Sequence, residues 1–81
     1  MMPKPVRTER SHSGHARLLG DLERGPDGFP LVVREVPKPS NVPSPYRYSP
    51  EWWVYRYEGV EVVLAETGHR RYQLFRVCDL V

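Results

Sequence analysis

One cysteine, two lysines and no apolar run near the roughly 18 residues of a membrane helix are what this 81-residue chain has in shortest supply. The first and the last of these each close a class of protein. A lone Cys78 cannot form an intrachain disulfide, which excludes a disulfide-stapled scaffold. Without a long apolar run, no membrane-spanning helix is expected. The N-terminus does not read as a secretory signal either, because Pro3, Lys4, Pro5 and Arg7 lead into polar residues. A cytoplasmic protein is the expectation.

The chemistry-bearing residues are equally sparse. His12, His15, His69 and Cys78 are the only soft metal ligands, and structural zinc needs four ligands in paired short spacings. One His-x2-His pair does not supply them, so no metal is expected, and nothing else in the chain implies a cofactor. Gly25-Pro26-Asp27-Gly28 is not a phosphate loop, since Phe29 rather than Lys follows it. Ser11, His12 and Ser13 adjoin, but covalent catalysis needs a nucleophile held beside an oriented base, and that stretch has no visible means of holding one. The carboxylates are scattered. No catalytic residue is assigned, and the chain is not expected to be an enzyme.

Net charge is only +2, too small by itself to imply a nucleic-acid partner. Its distribution says more. Lys4, Arg7, Arg10 and Arg17 face only Glu9 within the first 17 residues, while the rest of the chain is close to neutral. Residues 1–13, with two prolines and no periodicity, read as a flexible basic arm, and 14–81 as a single small β domain.

What the chain has in abundance is β-hairpin signal. Trp52-Trp53-Val54-Tyr55-Arg56-Tyr57 is followed by Glu58-Gly59 and then Val60-Glu61-Val62-Val63-Leu64. Aromatic and β-branched residues suit a pleated, half-buried surface, and a two-residue turn ending in Gly permits the positive φ such turns need. With Glu58-Gly59 as the turn, Tyr57 faces Val60, Tyr55 faces Val62 and Trp53 faces Leu64, an apolar row that reads as core. On the other face Arg56 sits opposite Glu61, Val54 opposite Val63 and Trp52 opposite Ala65. A slip of one residue would drive Glu61 into the aromatic row. The second face is apolar toward Trp52, so another part of the chain or a partner is expected to cover it there.

Thr67-Gly68-His69 reads as a second turn, and Arg71 to Cys78 as a third strand completing an antiparallel meander. Tyr72, Leu74 and Cys78 point one way, Phe75 and Val77 the other. The strand is therefore buried on both sides or has its phase shifted by a bulge, and loops of three and four residues give opposite registers. Cys78 is expected as a small buried hydrophobe.

Upstream, residues 15–23 are ambiguous. A helix would have Ser13 as N-cap, Leu18, Leu19 and Leu22 on one face and Gly25 as its stop, with Gly20 costing about 1 kcal/mol inside it. A strand would place Ala16, Leu18 and Leu22 together. The Gly25-Pro26-Asp27-Gly28 turn, followed by the strand-like Phe29 to Val36, tips the balance toward a strand hairpin. Pro30 would keep that strand at an edge. Residues 37–50 hold five of the nine prolines and read as an extended connection, either a crossover pinned by Tyr46 and Tyr48 or a binding segment. The fold expectation is mainly β: a small antiparallel sheet or five-stranded barrel-like fold with a C-terminal three-stranded meander, a disordered arm and a proline-rich connection.

Six of nine aromatics, Tyr46, Tyr48, Trp52, Trp53, Tyr55 and Tyr57, fall between residues 46 and 57, interleaved with Arg47 and Arg56. With Trp53, Tyr55 and Tyr57 assigned to the core, Tyr46, Arg47, Tyr48, Trp52 and Arg56 are the candidate partner-binding residues, of types that dominate interface energetics. A chain this small often completes its core with a partner or by self-association. The expected function is that of a non-enzymatic accessory protein, a subunit, adaptor or inhibitor bound to a larger macromolecule, of a size common in phage and mobile-element genomes. The alternative is a nucleic-acid-binding module using the aromatic sheet and Arg7, Arg10, Arg17, Arg70 and Arg71. In that alternative Arg70 and Arg71 form a basic corner that the arm would enlarge by folding toward it.

Overall fold

The computed structural model describes residues 2–42 and 51–81. Five antiparallel strands form one open sheet in the order β1-β5-β4-β3-β2, with β1 Arg7–Glu9, β2 Arg34–Pro37, β3 Glu51–Tyr57, β4 Val60–Gly68 and β5 Arg71–Arg76. One short helix, α1 Gly14–Gly20, and a 3-10 turn at Val77–Asp79 complete the secondary structure of the described residues. The sheet has two free edges, so it is open rather than barrel-like.

The first hairpin has the register its residue pattern demands. Val54, Tyr55, Arg56 and Tyr57 pair with Val63, Val62, Glu61 and Val60, and both turn residues have positive φ, 50° at Glu58 and 81° at Gly59. Two left-handed residues in succession match the twist of the flanking strands. In the second hairpin the turn is His69-Arg70, one step later than expected, and the ladder shifts between Glu66 and Gly68. Both explanations for the two-faced apolar pattern of β5 therefore hold. A bulge is present, and the strand is buried on both sides, with Leu74 in one core and Phe75 in the other.

Residues 14–20 are helical, not strand. Leu18 of the helix and Leu22, two residues beyond its end, pack with Tyr55, Val62 and Leu74, with Leu19, Tyr57, Leu64 and Tyr72 around them. Burying Leu18 and Leu22 and partly covering Leu19 on one apolar sheet face outweighs the propensity cost of glycine, whereas a strand would have left Leu19 on the solvent side. Ser13 precedes the helix but makes no side-chain cap hydrogen bond. The turn at 25–28 does form: Gly28 N–H donates to Gly25 O at 3.0 Å and Gly25 N–H to Phe29 O at 2.8 Å. It closes only a minimal hairpin, with one bridge between Arg24 and Pro30.

The fifth strand comes instead from the stretch read as an arm. Arg7, Thr8 and Glu9 pair with Leu74, Gln73 and Tyr72. Residues 7–9 carry no apolar alternation, and what fixes them is polar. Gln73 Nε2 donates to Thr8 Oγ1 at 3.0 Å, and Arg7 forms ion pairs with Asp21 and Glu9.

The opposite face of the sheet is covered by the chain itself. Val42, Val54, Val63, Ala65 and Phe75 form a second core, with Val33, Val36, Trp52, Val77 and Leu80 packed against it. Ser40 and Asn41 bind the last residues there: Ser40 N–H donates to Val81 O at 2.8 Å, and Asn41 Nδ2 to Asp79 O at 2.9 Å. β5 ends at Arg76, and the 3-10 turn directs Val77 and Leu80 inward. Cys78, expected in a buried strand position, is consequently exposed. Of the proline-rich connection at 37–50, residues 43–50 lie outside the described residues.

Candidate functional site

Of the expected contact residues, Trp52 and Arg56 are among the described residues. Tyr46, Arg47 and Tyr48 lie outside the described residues. Trp52 is half-buried against the second core. Arg56 Nη1 donates to Glu23 Oε2 at 2.8 Å across partly exposed surface.

The apolar row of β3 is only partly core. Tyr55 is 8% exposed, and burial raises its phenol pKa. Tyr57 packs beside it, with the Arg7 guanidinium 5.8 Å from its ring centroid. Trp53, assigned to the core from its place in that row, is 54% exposed. It lies opposite Glu35 of the edge strand β2, outside the cluster that α1 covers, and its Nε1–H donates to Glu35 Oε1 at 2.8 Å. Phe29 and Val32, in the segment leading into β2, are exposed as well. The aromatic sheet face is therefore not an open stacking platform, since α1 occupies its centre.

The five arginines of the basic set divide into two groups. Arg7 is neutralised locally: it hydrogen-bonds Asp21 and Glu9, and the Asp21 contact above all raises its already high pKa. Arg17, exposed on α1, lies 3.6 Å from Glu9. Arg10, Arg70 and Arg71 instead line one solvent-open cleft of about 430 Å³ with Ser11, His12, Gly68 and His69. No carboxylate is among its lining residues. The pairing of β1 with β5 brings its two sides together: β1 ends at Glu9, opposite Tyr72, and Arg10 follows directly, as Arg71 directly precedes Tyr72.

One lining residue of the cleft, Arg71, is anchored to the sheet. Arg71 Nε donates to Thr67 Oγ1 at 3.0 Å and Nη2 to Thr67 O at 2.9 Å. Thr67 Oγ1 donates in turn to Gln73 Oε1 at 2.6 Å, and Gln73 Nε2 to Thr8 Oγ1 at 3.0 Å. Thr67 and Gln73 are each 6% exposed, so one guanidinium is anchored on a buried polar chain crossing three strands. Such a network is rigid when every member is satisfied. Arg70, at φ 53°, sits in the left-handed turn position beside it.

Sequence reasoning placed Arg70 and Arg71 at a basic corner but missed His12 and Ser11 as part of the same site. The only signal that could have shown this is the β1–β5 register, and it leaves no apolar trace. Among the described residues no group of three or more His, Cys, Asp or Glu is placed to hold a metal ion, and no helix is long and apolar enough to cross a membrane. No protein-family model matches the chain, and neither a curated protein nor a solved structure does.

Proposed function

We propose that this chain is a small non-enzymatic accessory protein of the cytoplasm that acts by binding a larger protein, as a subunit, adaptor or inhibitor. Trp53 carries the reading. A tryptophan more than half exposed, on a strand whose other aromatics are buried or half-buried, donates a hydrogen bond to Glu35 of the neighbouring strand. A large side chain with one orientation favoured by a hydrogen bond has less conformational entropy to lose on binding, and Trp is among the residues most enriched at the energetic centres of interfaces. Phe29 and Val32 extend the exposed apolar surface along the segment before β2. Trp52, first considered for this role, is better explained by its packing in the second core.

The test is affinity capture with the tagged protein in nuclease-treated lysate at two salt concentrations, comparing wild type with Trp53→Ala. A stoichiometric protein retained at both salts by the wild type and lost by a folded Trp53→Ala variant supports the reading. Retention by the variant overturns Trp53 as the contact. A shift in the protein's own mass to that of a dimer, abolished by the same substitution, replaces the larger partner with a second copy.

The nucleic-acid reading keeps one specific support, the uncompensated cleft of Arg10, Arg70 and Arg71. Of the other arginines in that reading, Arg7 is ion-paired with Asp21 and Glu9, and the exposed Arg17 lies 3.6 Å from Glu9.

A further inference from the structure

We propose that the cleft between the end of β1 and the β4–β5 turn binds the phosphate backbone of a single-stranded polynucleotide, at a site separate from the Trp53 surface. The β1–β5 pairing ends at Glu9↔Tyr72, and Arg10, the next residue, lines the same cleft as Arg71. Arg70 follows in the same turn, and no acidic side chain lines the cleft to offset the three guanidinium groups. Five other arginines, at 7, 17, 34, 56 and 76, each lie within ion-pair distance of a carboxylate. The clustering at the turn is thus specific to this end of the sheet.

The cleft's construction favours an anion with several charged groups in a row. Arg71 spends Nε and one Nη2 donor on Thr67 and keeps the remaining guanidinium N–H groups for a ligand. Gly68 leaves room for it, since a Cβ there would lie 3.0 Å from Arg71 Nη2. Cations come from both chain segments and the space opens to solvent, so a backbone can pass through rather than end inside. His12 and His69, both exposed at its margin, offer flat rings on which an unstacked base can rest, a combination used for single strands. Together with the Trp53 surface, such a site would make the protein an adaptor between a protein and a nucleic acid.

The experiment is fluorescence anisotropy with a labelled single-stranded oligonucleotide of mixed sequence across a salt series. It compares the full chain, the double variant Arg10→Gln/Arg70→Gln and the control Arg24→Gln. Arg10, Arg70 and Arg24 are all exposed, so these changes leave the cores intact. The expected result is wild-type binding that weakens with salt, an affinity loss of roughly tenfold or more in the double variant, and a salt slope shallower by about 0.7 for each phosphate contact removed. Arg24→Gln should bind like the wild type. Amide shifts in the wild type on adding the oligonucleotide should centre on Gly68, His69 and His12 rather than on Trp53. No binding at low salt, equal losses in the control and the double variant, or shifts centred elsewhere would overturn the proposal. So would tighter binding of a phosphorylated peptide of matched charge, which would assign the cleft to a protein ligand.

Discussion

Gly14 and Glu9 are so close that a Cβ built on Gly14 would lie 2.9 Å from Glu9 Cβ, with Tyr72 Cδ2 at 3.1 Å. The helix start is thereby pressed onto the edge strand and β5 together, and the fit depends on a residue without a side chain. Glu9 Cβ cannot swing aside as the tip of a flexible side chain could, so the backbone must move.

Gly14→Ala should accordingly lose roughly 1 to 3 kcal/mol by overpacking, despite alanine's better helix propensity. Gly20, at the other end of the same helix, has nothing within 4 Å of its would-be Cβ. Gly20→Ala should gain about 0.4 to 1 kcal/mol, because it restricts the unfolded chain without a clash. Urea unfolding of the two variants decides the matter, and effects of the same sign would refute the packing described for α1.

The aromatics should separate in the same assay. Phe75 is fully buried in the second core, and Phe75→Ala should cost about 3 to 5 kcal/mol through transfer and cavity terms. Trp53→Ala removes a side chain that is mostly in water and one hydrogen bond to an exposed carboxylate, and should cost about 1 kcal/mol or less. A loss comparable with that of Phe75→Ala would mean that Trp53 is a structural residue and would remove the basis for its contact role.

Thr67 ties the cleft to the sheet interior. Thr67→Val keeps the shape but leaves Gln73 Oε1 without its donor and Arg71 Nε without its acceptor, in a position only 6% exposed. The expected loss is roughly 1 to 3 kcal/mol, the cost of stranding buried polar groups. Hydrogen exchange should quicken at β1 and the β4–β5 turn but not in the hairpin of β3 and β4. Uniform quickening across the sheet would show that the network has no local role.

How much of this was legible before the structure follows from where the apolar residues fall. The β3–β4 register could be read because Glu61 tolerates only one alignment and Glu58-Gly59 supplies a turn of fixed geometry. β1 could not be read, because its pairing rests on Thr8–Gln73 and on the Arg7 ion pairs, which leave no periodicity in the sequence. The helix was misread in favour of a strand because Leu18 and Leu22 fit both periods, and only the sheet face beneath them decides. Trp53 was misassigned for a related reason: alternation gives the face of a strand, but not how far a two-turn helix covers it. The basic corner was legible as Arg70-Arg71 with Arg10 in the same basic set, whereas His12 and the strand that holds Arg10 there were not.

Tyr55 gives the stability of the α1 core a dependence on alkaline pH. Burial disfavours its phenolate and raises its pKa above the ordinary 10.0. In the unfolded chain Tyr55 releases its proton near that ordinary value, while the folded chain still holds it. The native state then binds more protons, so stability must fall as pH rises. The contribution is complete below about pH 10 and is lost as pH climbs from there through the folded-state pKa. Tyr55→Phe removes the titrating group but keeps the ring among Leu18, Leu22, Val62 and Leu74. Urea midpoints measured on both proteins from neutral pH into the alkaline range should diverge above about pH 10, with the variant losing less stability. Parallel curves would show that the phenol reaches water in the folded state, and that α1 does not seal the face of the sheet it covers.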